Sequence, residues 1–375
     1  MAGGRNLAQK YSKTIDERFS RESQAMLALN NDYSFTGVKT VNVYSIPVVP
    51  LTDYQRSGTS RYGTPDDLAR SVQELTVKKD RAFTFIIDKG DKLQSEMASD
   101  AGKALSRQIR EVWVPEFDSY VYKTLAAEAT ARGNYATTAI TKANAYEMFL
   151  NGMEKLGNAN VPDQGRVCFC TYRFANLLKQ DPAFMKYGDR SQQMLEKGVI
   201  GEVDGCKIVK VPNTRMPAGA AFLIAHPMAA TAPKQLEDYK IHSNPPGVSG
   251  WLVEGRMIYD CFVLNERGSG VYYHGAQAVL KGLDFTTAAG DAGDSQLVIL
   301  TPMEGAKRFY ATAADGDGLP NVTYGTAITT SAWTALTAAA ETTITPADGH
   351  TRIRVVETDS SNKPIAVGDG VLNIG

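Results

Sequence analysis

The sequence is poor in the features on which several protein classes depend. Only four of its 375 residues are cysteine, which is too few for a fold held together by disulfides. The 40 basic and 41 acidic residues give a formal net charge of -1, so overall charge does not favour a nucleic-acid binder that works by general attraction. Hydrophobic runs are short and broken by polar residues, and we therefore expect no transmembrane helix and no membrane partner.

Signature motifs of the common enzyme classes are also missing. The chain has no G-x-x-x-x-G-K-[ST] phosphate loop, no H-E-x-x-H, no G-x-S-x-G and no G-x-G-x-x-G that opens a helix. The four histidines, His226, His242, His274 and His350, are scattered, and none has a Cys, Ser or Asp at a spacing useful for catalysis. We therefore expect no enzymatic activity, no cofactor and no catalytic residue.

Two of the cysteines form a C-x-C pair. Cys168 and Cys170 lie in RVCFCTY, which has the pattern of a strand, so alternation places both thiols on one sheet face. Such a pair is either half of a metal site or two small buried hydrophobic side chains. We expect the second, because no third ligand lies nearby in the sequence.

Two pairs of aspartates have spacings that occur in metal sites. Asp88 and Asp91, in DKGDKLQ, either cap the start of the following helix or form a two-carboxylate site, and we expect the cap. Asp315 and Asp317, in ADGDGLP, resemble the start of a calcium loop but lack the later ligands. We expect a turn there and no metal.

The composition of the chain, 43% hydrophobic and 22% charged, is that of an ordinary globular protein. Its length is sufficient for two or three domains. The first residues, MAGGRNLAQKYSKT, lack the apolar core of a signal peptide, so we expect a protein made in the cytosol.

The most regular pattern runs from about Ser95 to Ala131 and predicts one long helix. Apolar residues recur at steps of three and four, and Pro115 should kink or split the helix near Val114. The predicted buried face consists of Met97, Ala101, Leu105, Ile109, Val112, Val121, Leu125 and Ala129.

Two segments before this helix predict extensions. Residues 1–36 are mildly basic, and residues 12–29 fit an amphipathic helix with Met26 and Leu29 on its apolar side. This arm either lies on a neighbouring chain, faces nucleic acid or is a solvated terminal helix. Residues 37–87 contain two β-rich runs and predict a long hairpin, whose polar connection LTDYQRSGTSRYGTPDDLARS is too long for a compact domain unless its tip touches another molecule.

The segment after the helix alternates between helical and strand patterns. Over residues 136–235 this alternation predicts α/β or α+β packing, with a two-residue hairpin turn at Asp204-Gly205. Residues 236–275 predict strands that return to pack on the long helix, with Trp251 and Tyr259 among their apolar side chains.

Composition changes near Ala276. The last hundred residues hold six basic and eleven acidic residues and are rich in Ala, Thr, Gly and Asp. Alternation and the turn sequences ADGH and SSNKP predict a small β domain with Trp333 in its core. The stretch TTAAGDAGDS predicts a flexible linker, which places the domain boundary near residues 285–295.

Three of these stretches resemble the major capsid proteins of tailed bacteriophages, whose fold is shared with encapsulins and the floor of herpesvirus capsids. RAFTFIIDKGDKLQ resembles the strand that leads into the family's spine helix, and RQIREVWVPEFDSYVYKTLA resembles that helix with its Val-Pro-Glu-Phe-Asp kink. Residues 201–264 resemble the hairpin, strand and return strands of one large phage subset. The resemblance covers about residues 30–275.

The resemblance implies an α+β chain with the phage major capsid fold. It assigns residues 1–36 to an N-terminal arm, 37–87 to an extended hairpin loop, 88–135 and 236–285 to a peripheral domain with the spine helix, 136–235 to an axial domain, and 286–375 to an added C-terminal β decoration domain. That domain is either an outward-facing decoration with an adhesive or stabilising role or an inert appendage.

The implied function is a major capsid protein that self-assembles into the icosahedral head shell around a double-stranded DNA genome. Its partners would be further copies of itself in hexamers and pentamers, a separate scaffold protein, a portal and decoration proteins, with weak non-specific contact to DNA. It would be assembled in the host bacterial cytoplasm and reside in the virion capsid. The resemblance makes the charged residues of the hairpin tip candidates for subunit contact: Asp53, Arg56, Arg61, Asp66, Asp67 and Arg70.

Two departures from the family pattern carry expectations. The arm is too short for the scaffolding segment that some members carry, so assembly would need either a separate scaffold protein or none. Some members also cross-link subunits through a lysine and an asparagine, but Lys78 and Lys79 lie in the second strand of the hairpin and not at its tip. We expect no cross-linking, so boiled virions should give a subunit-sized band, and a covalent ladder would contradict this.

Three other functions are compatible with parts of the sequence. An encapsulin-like compartment shell is the alternative with the same fold, and the added acidic β domain favours the phage. A surface adhesin would use the C-terminal β domain, but the lack of a signal peptide counts against it. An enzyme of unrecognised type has no supporting group of residues.

Overall fold

The structure is a computed structural model of the chain. It describes residues 23–30, 40–45, 51–57, 59, 61–63, 71–89, 101–186, 201–247, 249–291, 293–300, 305, 307–336 and 341–375. Two compact units are present: the first comprises Met1–Val121 and Ala230–Arg267, and the second comprises Tyr122–Ala229 and Gly268–Gly375.

Helices and strands are both well represented, and the α+β class expected from the sequence is confirmed. The described α-helices are α1 (Ala101–Gln108), α2 (Val114–Ala131), α3 (Ala145–Asn158), α4 (Tyr172–Gln180) and α5 (Pro182–Lys186), with a π-helical turn at Ile109–Trp113 between the first two. The strands are β1 (Thr40–Ser45), β2 (Ser71–Thr76), β3 (Lys79–Asp88), β4 (Tyr135–Ala136), β5 (Val167–Thr171), β6 (Glu202–Val203), β7 (Cys206–Val211), β8 (Ala220–Ala225), β9 (Ala230–Thr231), β10 (Lys234–Ser243), β11 (Gly250–Tyr259), β12 (Phe262–Val263), β13 (Val271–Gly275), β14 (Lys281–Gly282), β15 (Phe285–Ala289), β16 (Ser295–Ile299), β17 (Lys307–Ala314), β18 (Thr334–Leu336), β19 (Glu341–Ile344), β20 (His350–Thr358) and β21 (Pro364–Val371).

The long helix is described from Ala101 to Ala131, and the interruption predicted near Val114 is the π turn that precedes it. Because the turn ends at Trp113, Pro115 lies in the first turn of α2, where a proline is tolerated. Of the predicted buried face, Val121, Leu125 and Ala129 are buried and Leu105 and Ile109 are half-buried. The prediction was wrong at Val112, which is exposed while its neighbour Trp113 is buried, and Met97 lies outside the described residues. A π turn holds more residues than an α turn, so it shifts which residue faces inward.

In the first unit, a three-stranded antiparallel sheet has the order β10-β11-β3. The prediction that return strands pack on the helix is confirmed by Tyr259 in β11. Its ring centroid lies 6.3 Å from that of Trp113, 5.5 Å from that of Phe117 and 5.8 Å from that of Tyr120. Edge-to-face contacts of this kind add to the hydrophobic free energy of burying the rings.

Strands β1 and β2 form a separate two-stranded antiparallel ribbon, from the pair Thr40–Thr76 to the pair Ser45–Ser71. The single second strand predicted for the hairpin is divided at residues 77–78, because β3 pairs with β11 and not with β1. The ribbon is thus shorter than the 37–87 hairpin of the sequence prediction.

A six-stranded sheet in the second unit has the order β4-β13-β8-β5-β7-β6. The predicted turn is confirmed, since Val203 pairs with Cys206 and the two residues between them, Asp204 and Gly205, have φ of 50° and 72°. Strand β13 lies between β4 and β8, although the sequence analysis grouped its residues with the peripheral segment. Helices α3 and α4 pack on one face of this sheet, and the core between them and the sheet includes Cys168, Cys170 and Cys206.

The C-terminal β domain contains a five-stranded sheet, order β14-β21-β20-β17-β18, and a three-stranded sheet, order β15-β16-β19. Both contribute to one core, which includes Leu297 and Ile344 from the smaller sheet and Ile353 and Val355 from the larger. Trp333 is buried in a second cluster, as predicted.

The predicted flexible linker at residues 285–295 was wrong. Phe285–Ala289 form β15 and Ser295 begins β16, in register from Phe285–Ile299 to Ala289–Ser295. Side chains of threonine and asparagine fix the strand to the C-terminal segment, because Thr287 Oγ1 donates to Val371 O at 2.6 Å and Asn373 Nδ2 donates to Thr287 O at 2.6 Å. Small polar residues therefore serve here as strand residues and not as a tether.

Candidate subunit-contact surface

The described part of the hairpin tip, residues 51–57, 59 and 61–63, is a compact exposed turn. The N–H of Gln55 donates to the carbonyl of Arg61 at 3.0 Å, and Thr52 Oγ1 donates to Tyr62 O at 3.2 Å. These bonds place Asp53, Arg56 and Arg61 on one small segment, all three exposed. The other predicted contact residues, Asp66, Asp67 and Arg70, lie outside the described residues.

The same turn carries apolar side chains that the sequence analysis did not single out. Leu51 is fully exposed, Tyr62 is 86% exposed and Tyr54 is 51% exposed. The rings of Tyr54 and Tyr62 meet edge to face with centroids 5.0 Å apart. Exposed aromatic and aliphatic groups beside arginines are typical of contact surfaces. The signal was available in the sequence as a Leu and two Tyr within an otherwise polar connection.

The base of the ribbon is fixed to the return segment that follows β11. Gln73 Nε2 donates to the carbonyl of Val263 at 3.0 Å, and Gln73 Oε1 accepts from the N–H of Asn265 at 2.9 Å. Leu75 and Val77 are buried in a cluster that contains Leu264. The ribbon is therefore anchored at one end while its connection carries the exposed turn.

The buried carboxylate of Asp260 accepts three hydrogen bonds at the junction between β2 and β3. Oδ2 accepts from the N–H of Lys78 at 3.0 Å, and Oδ1 accepts from Tyr120 Oη at 2.6 Å and from the N–H of Cys261 at 2.8 Å. Burial raises the pKa of Asp260, and the hydrogen bond from Tyr120 opposes that rise. One side chain thus joins the ribbon, the helix and the return segment.

The three-stranded sheet carries a face of paired charges. Arg256 donates to Asp80 through Nε at 2.9 Å and Nη2 at 2.5 Å, and the pKa of Asp80 is lowered by this contact. Lys240 Nζ lies 2.8 Å from Asp238 Oδ2. Solvent screens exposed pairs like these, so each adds little to the free energy of folding. Arg256, Lys240 and Asp238 line an open groove on β3, β10 and β11.

Residues 23–30 are docked in the first unit. Ser23 Oγ donates to Asp118 Oδ1 at 2.6 Å, and the N–H of Asn30 donates to Ala230 O at 2.9 Å. A 3-10 turn at Ala25–Ala28 stands where the amphipathic helix was predicted, and Met26 is exposed while Leu29 is buried. The rest of the predicted arm, 1–22 and 31–36, lies outside the described residues.

The cysteines are buried thiols. Burial raises the pKa of Cys170 and of Cys206 to about 12 and raises that of Cys168 well above its ordinary value. Cys168 and Cys170 share one core while Phe169 packs on Tyr122, so the predicted alternation is confirmed. Within the described ranges, no three or more His, Cys, Asp or Glu side chains are grouped so as to hold a metal ion.

Two histidines have structural hydrogen bonds. His226 Nε2 donates to Gln164 O at 3.1 Å while its Nδ1 accepts from the N–H of Met228 at 3.2 Å. His274 Nε2 donates to Thr138 O at 2.8 Å, and burial lowers the pKa of His274. Both rings are buried and hold backbone segments in place.

The two aspartate pairs fall on different elements. Asp315 and Asp317 lie in the predicted turn, where the N–H of Asp317 donates to Ala314 O at 3.2 Å. Asp88 is the last residue of β3, and Asp91 lies outside the described residues, so the predicted cap remains a prediction. No helix among the described residues has the length and hydropathy needed to cross a membrane.

No family model and no curated protein matches the sequence. Solved structures do match. A chain from Mycobacterium phage Che8 is 18% identical, with a TM-score of 0.59 over 73% of this chain and 98% of that chain. A chain from the capsid of cyanophage P-SCSP1u is 14% identical, with a TM-score of 0.58 over 72% of this chain and 93% of that one. A chain from the mature capsid of bacteriophage PhiM1 is 11% identical, with a TM-score of 0.54 over 72% and 91%. The chain has the fold of tailed-phage major capsid proteins.

Proposed function

We propose that this chain is a major capsid protein, many copies of which form the icosahedral head shell around the double-stranded DNA of a tailed phage. The observation that carries the proposal is the extent of the structural match. Between 91% and 98% of each of the three phage chains is matched, so a whole subunit of that fold is contained here. Because all three come from phages, they favour a phage head over an encapsulin-like compartment.

The parts of the chain take the roles that the resemblance implies. Residues 1–36 serve as the arm, 37–87 as the extended loop, 88–135 and 236–285 as the peripheral domain, and 136–235 as the axial domain. The end of 236–285 also contributes strands to the neighbouring domains, since β13 belongs to the six-stranded sheet and β14 to the five-stranded sheet. The C-terminal domain, 286–375, is the addition. About a quarter of the chain lies outside each match, which is close to the share that this domain represents.

The hairpin tip is the surface that contacts a neighbouring copy. Arg56, Arg61 and Asp53 supply charges, and Leu51 and Tyr62 supply apolar surface that is exposed in the single chain. Each exposed ion pair contributes less than about 1 kcal/mol, whereas burying an aromatic ring contributes about 2 kcal/mol. Asp66, Asp67 and Arg70 belong to the same proposed contact.

Other partners follow from a shell of this kind. Copies associate in hexamers and pentamers, with a separate scaffold protein, a portal and decoration proteins as further partners. Contact with packaged DNA is weak, because the chain as a whole carries a net charge of only -1. Assembly takes place in the host bacterial cytoplasm, and the product is the virion capsid. The chain works as a structural protein and not as an enzyme.

Sedimentation velocity of the purified chain tests the contact. We expect the double variant Arg56→Glu, Tyr62→Ser to shift material from large assemblies to the monomer. Lys363→Glu, an exposed charge reversal in the C-terminal domain, is the control and should leave the distribution unchanged. Equal distributions for the double variant and the unmodified chain would overturn the assignment of the tip.

A further inference from the structure

A long loop of the C-terminal domain reaches the end of helix α2. The loop connects β17 to β18 and carries Tyr324, whose Oη donates to the carbonyl of Thr130 at 3.4 Å. The ring of Tyr324 meets that of Tyr135 edge to face, with centroids 5.7 Å apart. Both contacts lie within the second unit.

The segment that leads into the C-terminal domain contacts the same end of the helix. The N–H of Val279 donates to Thr130 Oγ1 at 3.3 Å, and Lys281 Nζ lies 3.0 Å from Glu128 Oε1. Thr130 is fully buried, and its hydroxyl donates to Ala126 O at 2.9 Å. Two chain segments of the domain thus converge on the last turn of one helix.

The helix end has the geometry of a Schellman motif. The N–H of Gly133 donates to Thr130 O at 3.0 Å, the N–H of Asn134 donates to Ala129 O at 2.8 Å, and Gly133 has φ of 74°. The carbonyls of a last turn have no partner within their own helix. Tyr324 gives the carbonyl of Thr130 a second hydrogen-bond donor. Lys281 places a positive charge near the C-terminal end of the helix, where the helix dipole favours one.

The loop that carries Tyr324 is itself fixed to the C-terminal domain. Arg354 Nη1 donates to Pro320 O at 2.8 Å, and the N–H of Ile328 donates to Asn362 O at 3.0 Å. Val322 and Ile328 pack against the cluster that holds Trp333. The contact with the helix is therefore made by an ordered part of the domain and not by a tether.

We propose that the C-terminal β domain, together with the segment 279–285 that leads into it and pairs with β21, is a brace, whose partner is the end of helix α2 in the same chain. Tyr324, Val279 and Lys281 form the contact surface, and their role is to hold the last helical turn and the start of β4 in place. This role differs from that of a domain that is joined by a flexible linker and binds another molecule. It does not depend on whether the chain forms a shell.

Hydrogen exchange of the full-length, unassembled chain, read by mass spectrometry of peptides that cover 126–136, tests the brace. Tyr324→Phe removes only the hydroxyl, Tyr324→Ala also removes the ring contact, and Lys281→Gln removes the ion pair. The loss of one hydrogen bond should speed exchange of these amides by about fivefold. Peptides from β20 and β21 should exchange as in the unmodified chain, which shows that the domain remains folded.

Matched controls lie in the same domain. Thr287 Oγ1 donates to Val371 O within the domain, so Thr287→Val should leave peptides 126–136 unchanged, and so should Tyr310→Phe. Exchange at 126–136 that is unaltered by Tyr324→Ala and by Lys281→Gln would overturn the proposal. An equal acceleration in the two controls would also overturn it, because the effect would then not come from the contact surface.

Discussion

Lys78 donates its backbone N–H to the carboxylate of Asp260 at 3.0 Å, at the point where strand β2 ends and β3 begins. The two residues are distant in sequence, and the bond fixes the direction in which the β1–β2 ribbon leaves the three-stranded sheet. Because the same carboxylate accepts from Tyr120 on helix α2, ribbon and helix are held by one group.

Replacing Asp260 tests this junction. Asp260→Ala leaves the donors of Lys78, Tyr120 and Cys261 without their acceptor, and we expect a loss of about 3 kcal/mol in the free energy of unfolding. Tyr120→Phe removes a single bond and should cost about 1 kcal/mol. Urea denaturation measures both. Equal stability of Asp260→Ala and the unmodified chain would contradict the role given to this carboxylate.

Gly152 allows helix α3 to approach the six-stranded sheet. A Cβ at this position would lie 2.7 Å from Tyr272 Cε1 and 3.2 Å from Ile224 Cδ1. Gly152→Ala should therefore destabilise the fold by about 1–3 kcal/mol, although alanine is the better helix former. Gly157→Ala in the same helix has no atom within 4 Å of its new Cβ and should stabilise by up to about 1 kcal/mol. Thermal denaturation of the two variants should show shifts of opposite sign.

The buried ring of His274 predicts a pH dependence. Burial lowers its pKa, so the folded ring stays neutral while the unfolded ring takes up a proton below its ordinary value of 6.5. The contribution of His274 to the free energy of unfolding is fully present above pH 6.5. It falls by up to about 1.4 kcal/mol per pH unit as the pH drops below 6.5, until the pKa of the folded state is reached. His274→Gln should flatten the curve of unfolding free energy between pH 7 and 5.5. His350→Gln is the control, and a curve for His274→Gln as steep as that of the unmodified chain would refute the prediction.

The thiols predict protection from modification. All four cysteines are buried, and burial raises the pKa of Cys168, Cys170 and Cys206. Thiolates are the reactive form, so a disulfide reagent should label none of the four rapidly at neutral pH and all four in guanidinium. Ser57→Cys on the exposed tip is the positive control. Rapid labelling of Cys168 or Cys170 in the folded chain would contradict their place in the core.

Local chemistry explains what could be predicted from the sequence. Asp204-Gly205 specifies its turn because two residues with positive φ match the twist of a hairpin. Tyr259 and Trp333 were placed in cores by alternation alone. The resemblance added the order of the elements and hence the fold.

What could not be predicted depends on pairing between distant segments. The division between β2 and β3 arises because residues 79–88 pair with β11, and no local sequence signal indicates that pairing. The pairing of β15 with β16 turned an apparent linker into a hairpin. At the candidate site, Arg56 and Arg61 were predicted from their charge and the resemblance. Leu51 and Tyr62 stand in the same polar connection, but a sequence does not show whether such residues are buried or exposed.

Electron microscopy of the expressed chain tests the central claim most directly, in negative stain, first alone and then with the products of neighbouring genes. The account predicts closed shells of regular size, or rings of five and six subunits where a scaffold is missing. A chain that remains a dispersed monomer under both conditions would contradict it.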